Sequence, residues 1–332
     1  MNSIIKWIWY YLPKNKVTSK EIEEKISITF PSIPHWIIKE MTWVETRYNV
    51  EEWEYSSDLA IKASEIAIEK SWIDKNNIDF LIFASASQDI IEPATANIVQ
   101  KWLWLKCPVF DVKNACNSFI NWLDIADSFI KSWKYKNILV CSWETPSKVI
   151  KYDVTNKEEF KKYFAWYTFW DAWSAIVLSE TTENKWLLWR FFYSDWNDWD
   201  IATIMWWGSR FPQDASKNYF AWNPWLIRDK FISLDNKEFY EWLKYLNWNI
   251  EDIKKVFVHQ VAMSNFDHLY ENLWISKDKF AIILPELWNI ASCCLPTSLA
   301  ISFEKWELEK NDKIVLIWFA SWFSYGILFY EV

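Results

Sequence analysis

"ACNSFINWLDIADSFIKSWKYKNILVCSWE", residues 115–144, has a counterpart in "ASCCLPTSLAISFEKWELEKNDKIVLIWFAS", residues 291–321. Each begins with small residues, continues at helical spacing to "SFIKSW" or "SFEKW", turns through lysines and finishes as an apolar strand. Just upstream, "IDFLIFASAS" (78–87) matches "IKKVFVHQVA" (253–262), a strand running into a polar end. Two pairings in the same order predict a duplicated βα unit, with halves at 1–180 and 181–332. Elsewhere "SDLAIKASEIAIEKSW" predicts a helix opened by a Ser-Asp cap, and helical and strand patterns alternate. The class is therefore α/β, with a largely parallel sheet expected. In such a fold, sites form where strand ends and helix starts of the two halves face each other.

The composition carries an anomaly: 29 Trp and only 2 Gly in 332 residues. Ordinary usage would give roughly 23 glycines in a chain this long. Many Trp stand where glycine punctuation is expected, as in "KSWKYKN", "EKWELEKND" and "FWDAWSAIVLS" (169–179). In the last of these, an Asp among small residues ahead of a strand reads as a tight turn, which favours φ > 0 and no side chain at Trp170 and Trp173. The composition thus predicts that UGA codons of the source are decoded as glycine and are written here as Trp. A truly Trp-rich protein is the alternative. Trp36 and Trp248 are ambiguous by context.

The length suits one large or two medium domains with a substantial core. A net charge of −8 without a basic stripe argues against nucleic acid. The five cysteines form no CxxC pair, so reduced thiols are expected rather than disulfides or a zinc site. The N-terminus has no signal-peptide pattern, and no run reaches 18 apolar residues. A cytoplasmic protein without a membrane span is expected.

Three polar signals fall at the repeated strand ends and helix starts. Cys116 in "FDVKNACNSFINWL" stands at a predicted helix start, where free N–H groups and the helix dipole would lower its pKa and arm it as a nucleophile. An inert buried thiol is the equally weighted reading of Cys116, and the one assigned to Cys107 and Cys141. His259 in "VFVHQVA" ends an apolar strand and faces either a cleft or a structural partner; His35 and His268 are read as structural. Asn289 in "ELWNIASCC" reads first as a helix N-cap. By the duplication, however, it lies opposite Cys116.

With the suspected Trp positions read as glycine, "DVKNACNSF", "FWDAWSAIVLS", "VHQVA", "LWNIAS" and "LIWFASWFSYGILFYE" resemble the motifs of the β-ketoacyl-acyl-carrier-protein synthase III family of thiolase-fold condensing enzymes. The resemblance runs from "KWIWYYLP" to the last strand. It implies a duplicated five-layer αβαβα subunit in a homodimer, with catalytic Cys116, His259 and Asn289. Cys116 would take an acyl group from a CoA thioester. His259 and Asn289 would bind the carbonyl oxygen of the second thioester. The backbone N–H groups of Cys116 and Ser321 would form the oxyanion hole. The partners implied are acyl-CoA and malonyl-acyl carrier protein, with no metal and no cofactor beyond the CoA thioesters.

Two departures bear on the reaction. The family usually has "HQAN" where this chain has "HQVA". Glu92, in "IIEPATANIVQ", replaces an aromatic residue that reaches into the partner subunit's site. A glutamate there resembles the olefin-pathway thiolases, which join two acyl-CoAs and use such a Glu as base. Decarboxylation of a malonyl thioester needs no proton abstraction, whereas a plain acyl thioester does. Decarboxylative condensation is the reading adopted. The alternatives are non-decarboxylative joining with Glu92 as base donated to the partner subunit, a solvated Glu92 loop, and a catalytically silent scaffold. "MWWGSRFP" (205–212) resembles the family's "GGGSR" loop, with Gly208 in a backbone role. A family Trp that stacks on the CoA adenine falls near Trp36, one residue out of register.

Overall fold

The computed structural model describes residues 2–183, 186–205, 209–287, 289–320 and 323–332. Strands β1 (Asn2–Tyr11), β2 (Phe80–Ala84), β3 (Val109–Val112), β4 (Asn137–Glu144) and β5 (Ala172–Thr181) form one sheet, ordered β1-β5-β4-β2-β3. Strands β6 (Trp186–Ser194), β7 (Ile253–Val258), β8 (Lys313–Ala320) and β9 (Ser324–Glu331) form a second, ordered β7-β8-β9-β6. Both sheets are mixed, which corrects the expectation of a largely parallel one. β2 runs parallel to β3 and β4, and β7 to β8. The pairs β1–β5, β4–β5, β8–β9 and β9–β6 are antiparallel. Only three residues separate β8 from β9, too few for the crossover that a parallel neighbour needs.

The helices α1 (Ser56–Ser71), α2 (Thr95–Leu103), α3 (Ser118–Lys131), α4 (Lys237–Leu246), α5 (Met263–Leu273) and α6 (Cys294–Glu304) supply three further layers. Side chains alternate across a strand, so each sheet has two apolar faces to cover. Ile82 and Ile138 turn inward to a cluster with Phe119 and Leu123 of α3, Leu295 and Leu299 of α6, and Leu316 of the second sheet. Their neighbours Leu81 and Leu139 turn outward onto Leu59 and Ala63 of α1 and Val99 of α2. On the far side, Phe239 of α4 and Phe266 of α5 cover Val256, Val315 and Phe329. The layering is αβαβα, the thiolase fold, with α3 and α6 buried at its centre. The cap of α1 differs from the expected Ser-Asp: Asp58 reaches back to accept from the Tyr55 N–H at 3.0 Å.

The backbone bears on the Trp anomaly. Of twelve described non-glycine residues with positive φ, seven are Trp: Trp36, Trp43, Trp72, Trp104, Trp133, Trp274 and Trp306. Trp43, Trp72, Trp104 and Trp274 terminate helices in the left-handed conformation. Trp133 and Trp306 follow α3 and α6 at equivalent places. There the next N–H closes a six-residue turn at 3.0 Å, Lys134 to Phe129 and Glu307 to Ser302, an ending that usually requires glycine. Trp170 and Trp173 do not fit the turn expected of them. Neither has positive φ, and both are wholly buried. Space is what limits them: the Trp170 N–H donates to the Asn289 carbonyl at 3.1 Å, and Trp173 lies on β5. Crowding recurs at Trp143, whose ring centroid is 3.2 Å from that of Phe83, well inside the ~4.5–7 Å of ordinary aromatic pairs. A Cβ added at Gly326 would lie 2.0 Å from the Trp318 ring. The buried indole N–H groups of Trp122, Trp143, Trp166 and Trp170 have no partner among the described residues.

Candidate active site

Cys116 lies in a single 3-10 turn, Ala115–Asn117, that leads into α3; Ala291–Cys293 does the same for α6. Both turns begin with an alanine at positive φ, 40° at Ala115 and 46° at Ala291, a conformation L-residues adopt only where the surroundings enforce it. The repeat seen in the sequence is therefore a repeat of backbone shape beside Cys116 and Asn289. Asn117 of the first turn donates from Nδ2 to the Ser324 hydroxyl at the start of β9.

Asn289 is not the N-cap its residue type suggests, a place taken by Ile290; it stands one residue earlier, where Oδ1 accepts from the Ala291 N–H at 2.9 Å. With the oxygen committed, Nδ2 is left as the group that can donate to a ligand. His259 follows β7, and its N–H donates to the Ile317 carbonyl of β8 at 3.0 Å. The next residue fixes this strand end. Gln260 accepts at Oε1 from the Ile283 and Leu284 N–H groups at 2.9 and 2.8 Å, and donates to the Ala281 carbonyl at 2.7 Å. His259 is buried and its Nδ1 has no partner among the described residues. Burial pushes its pKa down to about 4, so the ring is neutral at physiological pH.

Cys116, His259 and Asn289 line one cavity of roughly 1770 Å³. That exceeds the ~300–1,000 Å³ of ordinary small-molecule sites and leaves room for a long ligand. Its wall combines apolar side chains such as Ile90, Phe169, Phe220 and Phe231 with the cations Lys113, Lys148, Lys161, Lys162 and Arg228. Among the described residues, no group of three or more His, Cys, Asp or Glu is placed to hold a metal ion.

Of the two readings of Cys116, its surroundings favour the protonated thiol. Cys116 is half-buried and opens onto the cavity, but burial, followed by the charge of Glu144, pushes its thiol up to about 12. Desolvation outweighs the turn's dipole, so the resting group is S–H. Cys107 and Cys141 are buried and raised too, with Cys107 at about 11.

Glu92 is exposed and lies on the cavity wall. Ser321 and Gly208 lie outside the described residues. Trp36 is half exposed and is not on the cavity wall. Sequence reading missed Glu144 and Ser292, a buried pair hydrogen-bonded beside Cys116. A carboxylate ending an otherwise apolar strand, "NILVCSWE", was the available signal.

Residues 110–195 match the profile of 3-oxoacyl-[acyl-carrier-protein (ACP)] synthase III, and residues 243–332 match that of its C-terminal region. Together these spans exceed half of the chain. A β-ketoacyl-[acyl-carrier-protein] synthase III of Clostridium perfringens is 29% identical over 321 residues, covering 95% of each chain. The corresponding protein of Fusobacterium nucleatum is 28% identical over 342 residues, covering 98% of each. Among solved structures, OleA of Xanthomonas campestris with bound lauric acid and lauroyl-CoA superposes with a TM-score of 0.89 at 24% identity, covering 100% of this chain and 99% of that one. The 3-oxoacyl-[acyl-carrier-protein] synthase III of Aquifex aeolicus gives 0.83 at 23% identity, covering 99% and 100%. At these identities the two structures speak for the shared fold.

Proposed function

The chain belongs to the 3-oxoacyl-[acyl-carrier-protein] synthase III family, and from that premise we propose that it transfers an acyl group from acyl-CoA to Cys116 and condenses it with malonyl-acyl carrier protein. The observation that carries this reading is the meeting of Cys116, His259 and Asn289, from the two halves of a duplicated fold, on one cavity wall.

The chemistry follows from the state of each group. Cys116 Sγ attacks the thioester carbonyl while its proton passes to the neutral His259 ring; the ring then returns it to the departing CoA thiolate. The positive-φ turn at Ala115 presents the Cys116 N–H to the resulting oxyanion, and Ser321 is assigned the second donor. In the second half-reaction, loss of CO2 from the malonyl thioester leaves an enolate whose oxygen is held by His259 and by Asn289 Nδ2. The enolate carbon then attacks the acyl-Cys116 carbonyl, and Cys116 leaves as a thiolate that takes a proton from solvent. One such donor contributes about 2.7–4 kcal/mol in comparable sites. The five cations on the wall suit CoA phosphates and the acidic carrier.

The same reading makes the enzyme a cytoplasmic homodimer that needs no cofactor beyond CoA thioesters, with halves at 1–180 and 181–332. Edge strand β3, half-buried along its length, is the surface assigned to the second copy. Light scattering that returns one chain's mass would refute the dimer.

A second reading is favoured by Glu92, whose carboxylate on the cavity wall could remove a Cα proton and allow two acyl-CoAs to be joined. Incubation with acyl-CoA, with and without malonyl-acyl carrier protein, separates the two. We expect acylated Cys116 by peptide mass spectrometry and 3-oxoacyl product only with the malonyl donor. Product from acyl-CoA alone would move the assignment to the second reading, and absence of acyl-Cys116 would remove both.

A further inference from the structure

Glu144 ends β4, is 2% exposed and yet lies on the cavity wall. Three donors converge on its two oxygens. The Ala86 N–H (3.0 Å) and the Ser292 hydroxyl reach Oε1, and the Ser87 hydroxyl reaches Oε2 at 2.9 Å. The Ser87 oxygen also accepts from the Thr145 N–H at 3.3 Å, and the Ser292 and Ser142 hydroxyls share a hydrogen bond of 2.9 Å. Such a set suits an ionised carboxylate, which only accepts: burial pushes the Glu144 pKa up, and the hydrogen bonds from Ala86, Ser292 and Ser87 counter that push. An apolar side chain could fill the same space without the cost of desolvating a charge. What the carboxylate adds is connection. Ala86 and Ser87 open the segment that runs to Glu92, and Ser292 stands three residues beyond Asn289. The charge also contributes to raising the Cys116 thiol, so the group is within electrostatic reach of the sulfur.

We propose that Glu144 is a positioning residue, whose carboxylate ties the segment leading to Glu92 to the turn that carries Asn289 and so sets the place of the Asn289 carboxamide over Cys116. The kinetic part of this proposal rests on the synthase reading above; the clamp itself can be read without activity.

The test compares Glu144→Ala, Glu144→Gln and Ser292→Ala in the intact chain. In Glu144→Ala we expect acylation of Cys116 to stay within ~3-fold of the parent, while condensation falls about 10- to 100-fold in kcat, the effect of losing one or two hydrogen bonds to a charged group. Glu144→Gln should restore condensation to within ~3-fold, because its amide can accept from Ala86 and Ser292 and donate to Ser87. In both, alkylation of Cys116 by iodoacetamide should shift to lower pH, a change that packing alone would not produce. Hydrogen exchange at residues 86–92 and 289–293 should rise together in Glu144→Ala and in neither segment of Glu144→Gln. Exchange that rises in only one segment, or in none, overturns the clamp even if the enzyme has no synthase activity. Full condensation in Glu144→Ala, or equal loss in Ala and Gln, overturns it as well. If Glu144→Ala does not fold, Ser292→Ala must show the condensation loss with acylation intact; an unaffected Ser292→Ala refutes the proposal. A parent enzyme that never acylates Cys116 refutes the synthase reading instead.

Discussion

Replacing Trp72, Trp104, Trp274 and Trp306 together with glycine should make the protein more stable, although four large side chains are removed. All four hold φ between 52° and 58° and end four different helices. They are 94%, 79%, 77% and 81% exposed, so little indole burial is lost. The left-handed conformation costs an L-residue about 1–2 kcal/mol. Glycine gives back about 0.5–1 kcal/mol through the greater freedom of its unfolded chain. The net gain is about 0.5–1 kcal/mol per site, and sites on separate helices without shared partners add, giving about 2–4 kcal/mol. At about 2 °C per kcal/mol for a chain of this size, Tm should rise by roughly 4–8 °C in a thermal scan followed by circular dichroism. Asn247, at φ 55°, is the internal control. Asparagine tolerates this region, so Asn247→Gly should change stability by no more than about 0.5 kcal/mol. A quadruple variant that melts at or below the parent would refute the reasoning. Intact mass of the protein made in its own cell tests the decoding directly, because the mass of the written chain would exclude glycine at these positions.

Asn289→Ala should lower condensation about 10²–10³-fold, the measure of one lost oxyanion donor, while acyl-Cys116 accumulates in the mass spectrum; equal loss of acylation would place Asn289 elsewhere in the cycle. Alkylation of Cys116 by iodoacetamide should keep rising above pH 8, as a thiol raised to about 12 requires, and a plateau near neutrality would restore the thiolate. His259, with a folded pKa of about 4 against ~6.5 unfolded, binds its proton more readily in the unfolded chain, so its contribution is complete above pH ~6.5 and is lost as pH falls toward 4. Urea midpoints between pH 4 and 7 should show this slope in the parent and a shallower one in His259→Gln; parallel slopes would contradict a buried neutral ring.

The duplicated unit was legible because α3 and α6 occupy equivalent layers and need the same apolar spacing, the same small residues at their starts and the same left-handed ending. Cys116, His259 and Asn289 were legible for a related reason: each stands where a repeated element begins or ends. Sheet direction was not legible, because β4 and β5 show the same apolar run whether they pair parallel or antiparallel. The state of Cys116 was left open between thiolate and buried thiol. Position at a turn suggested an anion, while the deciding contributions come from burial and from Glu144, distant in sequence. Trp170 and Trp173 were read as turn positions, whereas both are buried, one beside Asn289 and one on β5, and tight packing of that kind leaves no trace in local turn patterns.

Because α3 and α6 occupy the central layer, Cys116 and Asn289 adjoin the part of the molecule least able to open. Amide protons there should exchange only through global unfolding, whereas the segments at 88–92 and 218–228 that wall the cavity carry far less buried apolar surface. A ligand that reaches Cys116 therefore has to pass segments that are easier to displace than the turns beneath it.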